Sequence, residues 1–348
     1  MKEKLQAFIE NAGWPRIIIG LFLLSLFVAA PFVGVRLDAS LSDTLVRVGM
    51  NGILVLAMVP MVQSGCGLNF GLPLGIIAGL LGAVTSIQIG VTGSIGFIIA
   101  MGIAVPIAIV LGWLYGQLLN RVKGDEMMIA TYVGFSSVAV MCIAWLLLPY
   151  TSPTMIWGYG GSGLRTTISV EGFWLNSLSK YLNIQIGEFF YIPVGMYLFF
   201  GLMVFLVWAF FRTKIGTAVT AVGSNPEFAR ASGIDVDKMR TVSVILSTVL
   251  GAIGILVYEQ SFGFIQLYMG PFYMAFPAVA AILLGGASVN KASMVNVVVG
   301  AFLFQGILTM TPSVINSVMQ TDMSEVIRII VSNGMILYAL TRKVMVKR

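Results

Sequence analysis

The sequence predicts an all-α integral membrane protein of about ten transmembrane helices with both termini cytoplasmic. Three observations carry this. First, 58% of the 348 residues are hydrophobic and only 10% are charged, whereas a soluble domain carries about 25% charged residues. Second, the apolar residues fall into runs close to the ~20 residues that cross a bilayer. Third, the positive charges sort to one side when those runs are counted as ten. Residues 1–348 read as a single transmembrane domain.

The runs are placed in order as follows. Ile17–Val33 forms the first span, retained rather than cleaved as a leader because the apolar run is long and Pro31 follows Ala29-Ala30. A polar stretch, Arg36 to Asp43, separates it from the second span, Leu45–Val62. Phe70–Ile89 and Ile95–Leu119 are the third and fourth. The charged loop Arg121–Glu126 leads into the fifth, Met127–Leu148. A long extracytoplasmic loop, residues 150–188, is rich in Gly, Ser and aromatic residues. Phe189–Phe211 is the sixth. After a polar segment come Thr241–Glu259, Phe272–Gly286, Met294–Met310 and Val326–Leu340. The eighth and ninth are short, and a half-membrane hairpin through Gly285-Gly286 is the alternative there. Gly75 with Gly79, and Gly112 with Gly116, have the small-xxx-small spacing that lets helix backbones approach closely.

With the termini inside, 15 of the 20 Lys and Arg lie inside: Lys2, Lys4, Arg16, Arg121, Lys123, Arg212, Lys214, Arg230, Lys238, Arg240, Lys291, Arg342, Lys343, Lys347 and Arg348. The net charge of +6 therefore reports topology and not nucleic-acid binding. Histidine is absent, which removes the commonest general base and metal ligand. Cys66 and Cys142 make no metal spacing. No paired carboxylates, nucleophile elbow or phosphate-binding loop occurs, so an enzyme is not expected, and no cofactor is expected on this chain. The few intramembrane ionisable groups argue against an ion-coupled carrier; a channel or carrier acting alone is the competing class. Trp145, Trp157, Trp174 and Tyr150 fit either a solute site or an interfacial belt.

Between the sixth and seventh spans lies a polar segment, residues 212–240. It contains a punctuated short helix. Ser224 or Asn225 can cap it, Pro226 suits its first position, and Glu227 and Arg230 complement its dipole. Gly233 can end it in the left-handed conformation. About two turns are too short to stand alone, so the helix leans on its own membrane domain or on a soluble partner.

A second break, Gln63 to Gly75, interrupts the pattern between the second and third spans. Gly65, Gly67, Gly71 and Pro73 weaken regular helix there. Irregular backbone at membrane depth lines a cavity or is buried in protein. Gln63, Gly67, Asn69, Phe70, Gly71 and the nearby Asn51 are thus candidates for a translocation pathway; a surface turn is the other reading.

Ala221-Val-Gly-Ser-Asn-Pro-Glu-Phe-Ala-Arg-Ala-Ser-Gly-Ile234 resembles the cytoplasmic coupling segment of ABC importer permeases of the ribose/simple-sugar and branched-chain amino acid type. Ile168–Trp174, Arg212–Gly216 and Ala281–Ser288 resemble the same family, and the likeness covers most of residues 45–341. Two departures stand out: Asn69 lies near a position often acidic in the sugar branch, and Val289-Asn-Lys291 replaces a glycine-rich continuation. The resemblance implies that Gly223, Ser224, Asn225, Pro226, Glu227, Ala229, Arg230 and Gly233 dock on an ATP-binding cassette subunit, which holds ATP and Mg. It further implies a second permease chain, identical or a sister, and an extracytoplasmic solute-binding protein that meets loop 150–188. The protein would sit in the cell membrane as an ATP-driven importer of a small polar solute. A simple sugar is the first expectation; nucleosides or branched-chain amino acids are the alternative.

Overall fold

A computed structural model describes residues 14–158, 161, 163–180, 182–319, 326–327, 329–331 and 333–334. The expected tenth span, Val326–Leu340, and the terminal charges Lys2, Lys4, Arg342, Lys343, Lys347 and Arg348 lie wholly or largely outside them. In chain order the helices are α1 (Trp14–Ala29, extended by a 3-10 turn Ala30–Val33), α2 (Leu37–Leu56), α3 (Met58–Gln63), α4 (Leu72–Ile89), α5 (Gly93–Arg121), α6 (Glu126–Leu147), α7 (Val194–Arg212), α8 (Lys214–Ser224), α9 (Pro226–Ala231), α10 (Val236–Phe262), α11 (Gly270–Leu284) and α12 (Met294–Met319). Among the described residues, eight helical stretches are long and apolar enough to cross a membrane, α2 and α3 counting as one. α11 is shorter, at 15 residues. The protein is a multi-pass, largely helical membrane protein.

The first nine runs expected from hydropathy are helical, with shifted ends. The second span starts at Leu37, so most of the polar stretch Arg36–Asp43 is helix and Arg47 lies within α2 rather than near its start. Asp38 in the first turn offsets the helix dipole. The seventh begins at Val236, five residues early, because Asp235 caps it by accepting from the Lys238 amide at 3.0 Å. α12 runs for 26 residues, a full-length helix rather than half of a short hairpin.

The helices run back and forth between two faces. One face, termed near, carries residues 212–240; the other is termed far. The far face is closed by the long loop. Four short strands lie here: β1 (Thr167–Ser169), β2 (Ile184–Ile186), β3 (Phe190–Ile192) and β4 (Phe264–Gln266). β1 pairs antiparallel with β4, and β2 with β3. The Val170 amide donates to the Gly263 carbonyl at 3.0 Å and the Asn176 amide to Gln260 at 2.7 Å. This ties the loop onto the end of α10. Trp145 and Trp174 are fully buried, with Trp174 against Phe97 at 6.1 Å. They are core residues and not part of an interfacial belt; Trp157 is exposed.

α10 is the central post. Gly75 and Gly79 of α4 face Thr248 and Ala252 of α10, and Gly112 and Gly116 of α5 face Ile245 and Thr241 of the same helix. Both small-residue pairs thus serve one contact. In lipid the driving force is close packing rather than water exclusion, and a hydrogen in place of a methyl lets the backbones touch. The outer faces of α1, α6 and α7 expose large apolar side chains, such as Leu21, Phe135 and Phe205, as lipid contact requires.

A paired substitution tests this packing. A Cβ at Gly75 would lie 2.5 Å from the Thr248 carbonyl oxygen, whereas one at Gly102 meets nothing within 4 Å. Gly75→Ala should destabilise the detergent-solubilised protein by the ~1–3 kcal/mol typical of overpacking, seen as a lower melting temperature. Gly102→Ala should leave the stability unchanged or raise it, by up to about 1 kcal/mol from helix propensity.

Candidate functional site

Three segments distant in sequence meet on the near face: the break after α3, the α5–α6 turn, and the polar segment 214–240. The break exists because Gly65 and Gly67 take positive φ, +78° and +81°, which a right-handed helix does not accommodate. Helix resumes at Leu72. Gln63 Nε2 donates to the Ala292 carbonyl, which joins the break to the α11–α12 turn.

Asn69 is fully buried. Its amide donates to Ser247 Oγ at 2.7 Å, and its Oδ1 accepts from the Tyr115 hydroxyl at 3.2 Å. Ser247 donates onward to the Ala57 carbonyl at 2.5 Å. One buried polar chain thus joins α5, the break, α10 and the α2–α3 junction. Gly71 leaves room for Tyr115, whose hydroxyl a Cβ at that position would meet at 2.5 Å. Phe70 is half-buried and packs against Phe276 of α11, ring centres 6.2 Å apart and tilted by 50°. Gly67 packs toward Met127 and Val289. Asn51 Nδ2 donates to the Arg47 carbonyl within its own helix. The structure therefore brings Gln63, Gly67, Asn69, Phe70 and Gly71 together in the packed break, with Asn69 turned inward, and leaves Asn51 on α2.

The polar segment forms two helices. α8 carries Gly216, Val219 and Val222 on its buried side. Val222, Ala229 and Val236 make a small apolar cluster of their own. Asn225 supplies the cap of α9, accepting from the Phe228 amide at 3.0 Å. Ser224 instead donates to the Thr220 carbonyl at 2.9 Å and closes α8. Gly233 is left-handed, φ +81°. Ser224, Asn225, Pro226, Glu227, Arg230 and Gly233 are exposed. Ala229 is buried in the cluster, so it seats the helix and has no surface to offer a partner.

Gly223 joins this segment to the break. A Cβ on Gly223 would run into the Gln63 carbonyl, and one on Gly65 would lie 3.1 Å from the Gly223 Cα. Beside this contact, Arg240 is buried; it ion-pairs with Glu126 and donates from Nε to Cys66 Sγ at 3.2 Å. Lys123 pairs with Asp237 at 2.7 Å, and Asn120 donates to the Asp237 carbonyl at 2.8 Å.

The sequence model of the branched-chain amino acid transport system / permease component family matches residues 40–339. The chain belongs to this family. In the permease, the match takes in the break, the α5–α6 turn and the polar segment alike. Curated relatives include the Autoinducer 2 import system permease protein LsrC of Escherichia coli O9:H4 (strain HS), 26% identical over 225 residues, 64% of this chain and 59% of the relative. The same-named protein of Shigella flexneri is 27% identical over 226 residues, with the same coverage. The Nucleoside ABC transporter permease protein NupC of Lactococcus lactis is 34% identical over 92 residues, 26% of this chain and 29% of the relative. The permease thus spans about 59% of the length of the LsrC relatives. No solved structure matches it.

Sequence reasoning missed three features. Phe228 is 68% exposed on α9, a large apolar side chain on an otherwise polar surface. α8 was legible in Ile215, Val219 and Val222 at helical spacing. The Arg240–Glu126–Cys66 contact joins residues 174 and 114 positions apart, beyond the reach of any local pattern.

Ser247→Ala would leave the Asn69 amide and the Ala57 carbonyl without their shared partner. Unmade buried hydrogen bonds cost about 1–3 kcal/mol each. The purified variant should melt measurably lower than wild type; an unchanged melting curve would show that the polar chain carries no stability.

Proposed function

We propose that this permease is the transmembrane subunit of an ATP-driven ABC importer for a small polar solute, with a simple sugar as the first choice. α9 docks on an ATP-binding cassette subunit, which holds ATP and Mg. A second permease chain, identical or a sister, completes the pathway, and a solute-binding protein delivers the solute to the far face. In this reading the near face and both termini are cytoplasmic and the spans number ten. The cluster of Lys and Arg on the segments assigned to the near side supports that orientation.

The observation that carries the proposal is α9 itself. It is capped, exposed, seated on its own apolar cluster and pressed through Gly223 against the break in the membrane bundle. A short helix built only to connect two spans needs no exposed Phe228. An exposed aromatic anchor is what a protein–protein contact favours. The mechanism follows as a lever. Closure of the ATP-binding subunits moves α9; α8 and α10 move with it, and Gly223 transmits the displacement to the Gln63–Gly71 segment beside the pathway. Such rigid-body shifts of packed helices are a standard form of switching.

The solute class rests on the relatives. One set is named for import of autoinducer 2 and another for nucleosides, and a simple sugar or a nucleoside is consistent with an intramembrane surface poor in charge.

The test is affinity purification of this chain from native membranes in mild detergent. An ATP-binding subunit should co-purify in near-equal amount. Phe228→Asp should lower its retention about tenfold, the loss expected from one interface anchor, without changing membrane insertion. Purification of the chain alone, still transporting in liposomes without ATP, would overturn the proposal.

A further inference from the structure

A groove of about 340 Å³ opens on the near side between the end of α7, α8 and the start of α12. Its walls are chemically divided. Trp208, Phe211, Met294 and Val295 make the apolar part, and Arg212 stands at the polar edge, with its guanidinium 4.8 Å from the Trp208 ring centre. Beyond the apolar wall the surface is lipid-facing in character: Leu206 on α7 and Val295 and Val298 on α12 are all exposed. Beyond the polar edge stand two more exposed cations, Lys214 and Lys291, each within two positions of a groove residue. The groove therefore straddles the boundary between the apolar band and the basic rim. No carboxylate lines it.

That arrangement has the amphipathy of one phospholipid. An acyl chain needs a continuous apolar wall that leads out into the bilayer. A phosphate needs a cation held at headgroup depth, and basic pockets between transmembrane helices at this level favour anionic headgroups. Arg212 suits this better than a lysine because its planar fork meets phosphate oxygens in pairs. Trp208 beneath it restricts the guanidinium and marks interfacial depth.

We propose that the groove is a binding site for one anionic phospholipid, with the phosphate on Arg212 and an acyl chain along Trp208, Phe211, Met294 and Val295. The site adjoins the coupling region. Gln63 forms part of its wall, and the same residue bonds Ala292 and packs its carbonyl on Gly223. A lipid seated there touches the break that the polar segment presses on, so the headgroup composition of the membrane sets the stiffness of that contact. The inference needs only the membrane location and stands whether or not an ATP-binding subunit is the partner.

Native mass spectrometry of the detergent-purified full chain tests it, with palmitoyl-oleoyl phosphatidylglycerol or phosphatidylcholine added in equal amounts. Wild type should retain one phosphatidylglycerol about fivefold more strongly than phosphatidylcholine, the preference expected of one well-placed cation. Arg212→Gln should abolish the preference and Arg212→Lys should keep part of it. Arg121→Gln, which removes an exposed cation that does not line the groove, should leave it intact. Equal retention of the two lipids by wild type, or a preference that survives Arg212→Gln or is lost equally in Arg121→Gln, would overturn the site. A single elution peak for each variant establishes that folding is not the cause.

Discussion

Two stretches of backbone touch at Gly223, and the near face is arranged around that contact. The Gln63 carbonyl and Gly65 occupy the space that a side chain on residue 223 would fill. Gly65 itself sits at positive φ, a conformation that favours glycine. The contact is thus backbone against backbone, short and stiff, with no flexible side chain between the segments to absorb a displacement. Everything near it reinforces the join: Gln63 to Ala292, Arg240 to Cys66 and Glu126, Asn120 to the start of α10.

The same economy governs the membrane interior. α10 meets α4 and α5 through glycines, and its polar Ser247 is spent on a chain that runs from Tyr115 to Ala57. Close packing and satisfied polar groups are the two requirements of a helix bundle in lipid. α10 meets the first toward α4 and α5 and the second at Ser247, while Ser243 and Glu259 of the same helix keep buried side-chain oxygens without a hydrogen-bond partner; its close packing makes it a rigid post. A post fixed at the far face by β1–β4 and at the near face by the Arg240 cluster carries displacement along its length rather than dissipating it.

Much of this was legible in the sequence, because the bilayer imposes strong rules. Runs of apolar residues located the first nine membrane helices, and the Asn225-Pro226 and Gly233 signals bounded α9 correctly. The glycine pairs announced close helix contacts. Other features were not legible, for definable reasons. Asn225 and Ser224 are both good caps, and only geometry assigns one to α9 and the other to α8. Trp145 and Trp174 fitted either a solute site or an interfacial belt, because burial by a folded-back loop leaves no periodic signature. Ala229 belonged to the matched motif but lies on the inward side of a helix whose facing depends on Val222 and Val236. The partners of Asn69 and Arg240 come from helices far along the chain, and long-range pairing is the information a single sequence holds least of.

The claim that the polar segment and the break form one mechanical unit is open to a direct measurement: hydrogen exchange of the purified protein in lipid nanodiscs, wild type against Gly223→Ala. The added methyl should prise the two backbones apart. The account predicts faster amide exchange in residues 63–67 and in 214–231 together, with the far-face strands unchanged. Faster exchange confined to 214–231, or none in either segment, would contradict it and reduce the Gly223 contact to incidental packing.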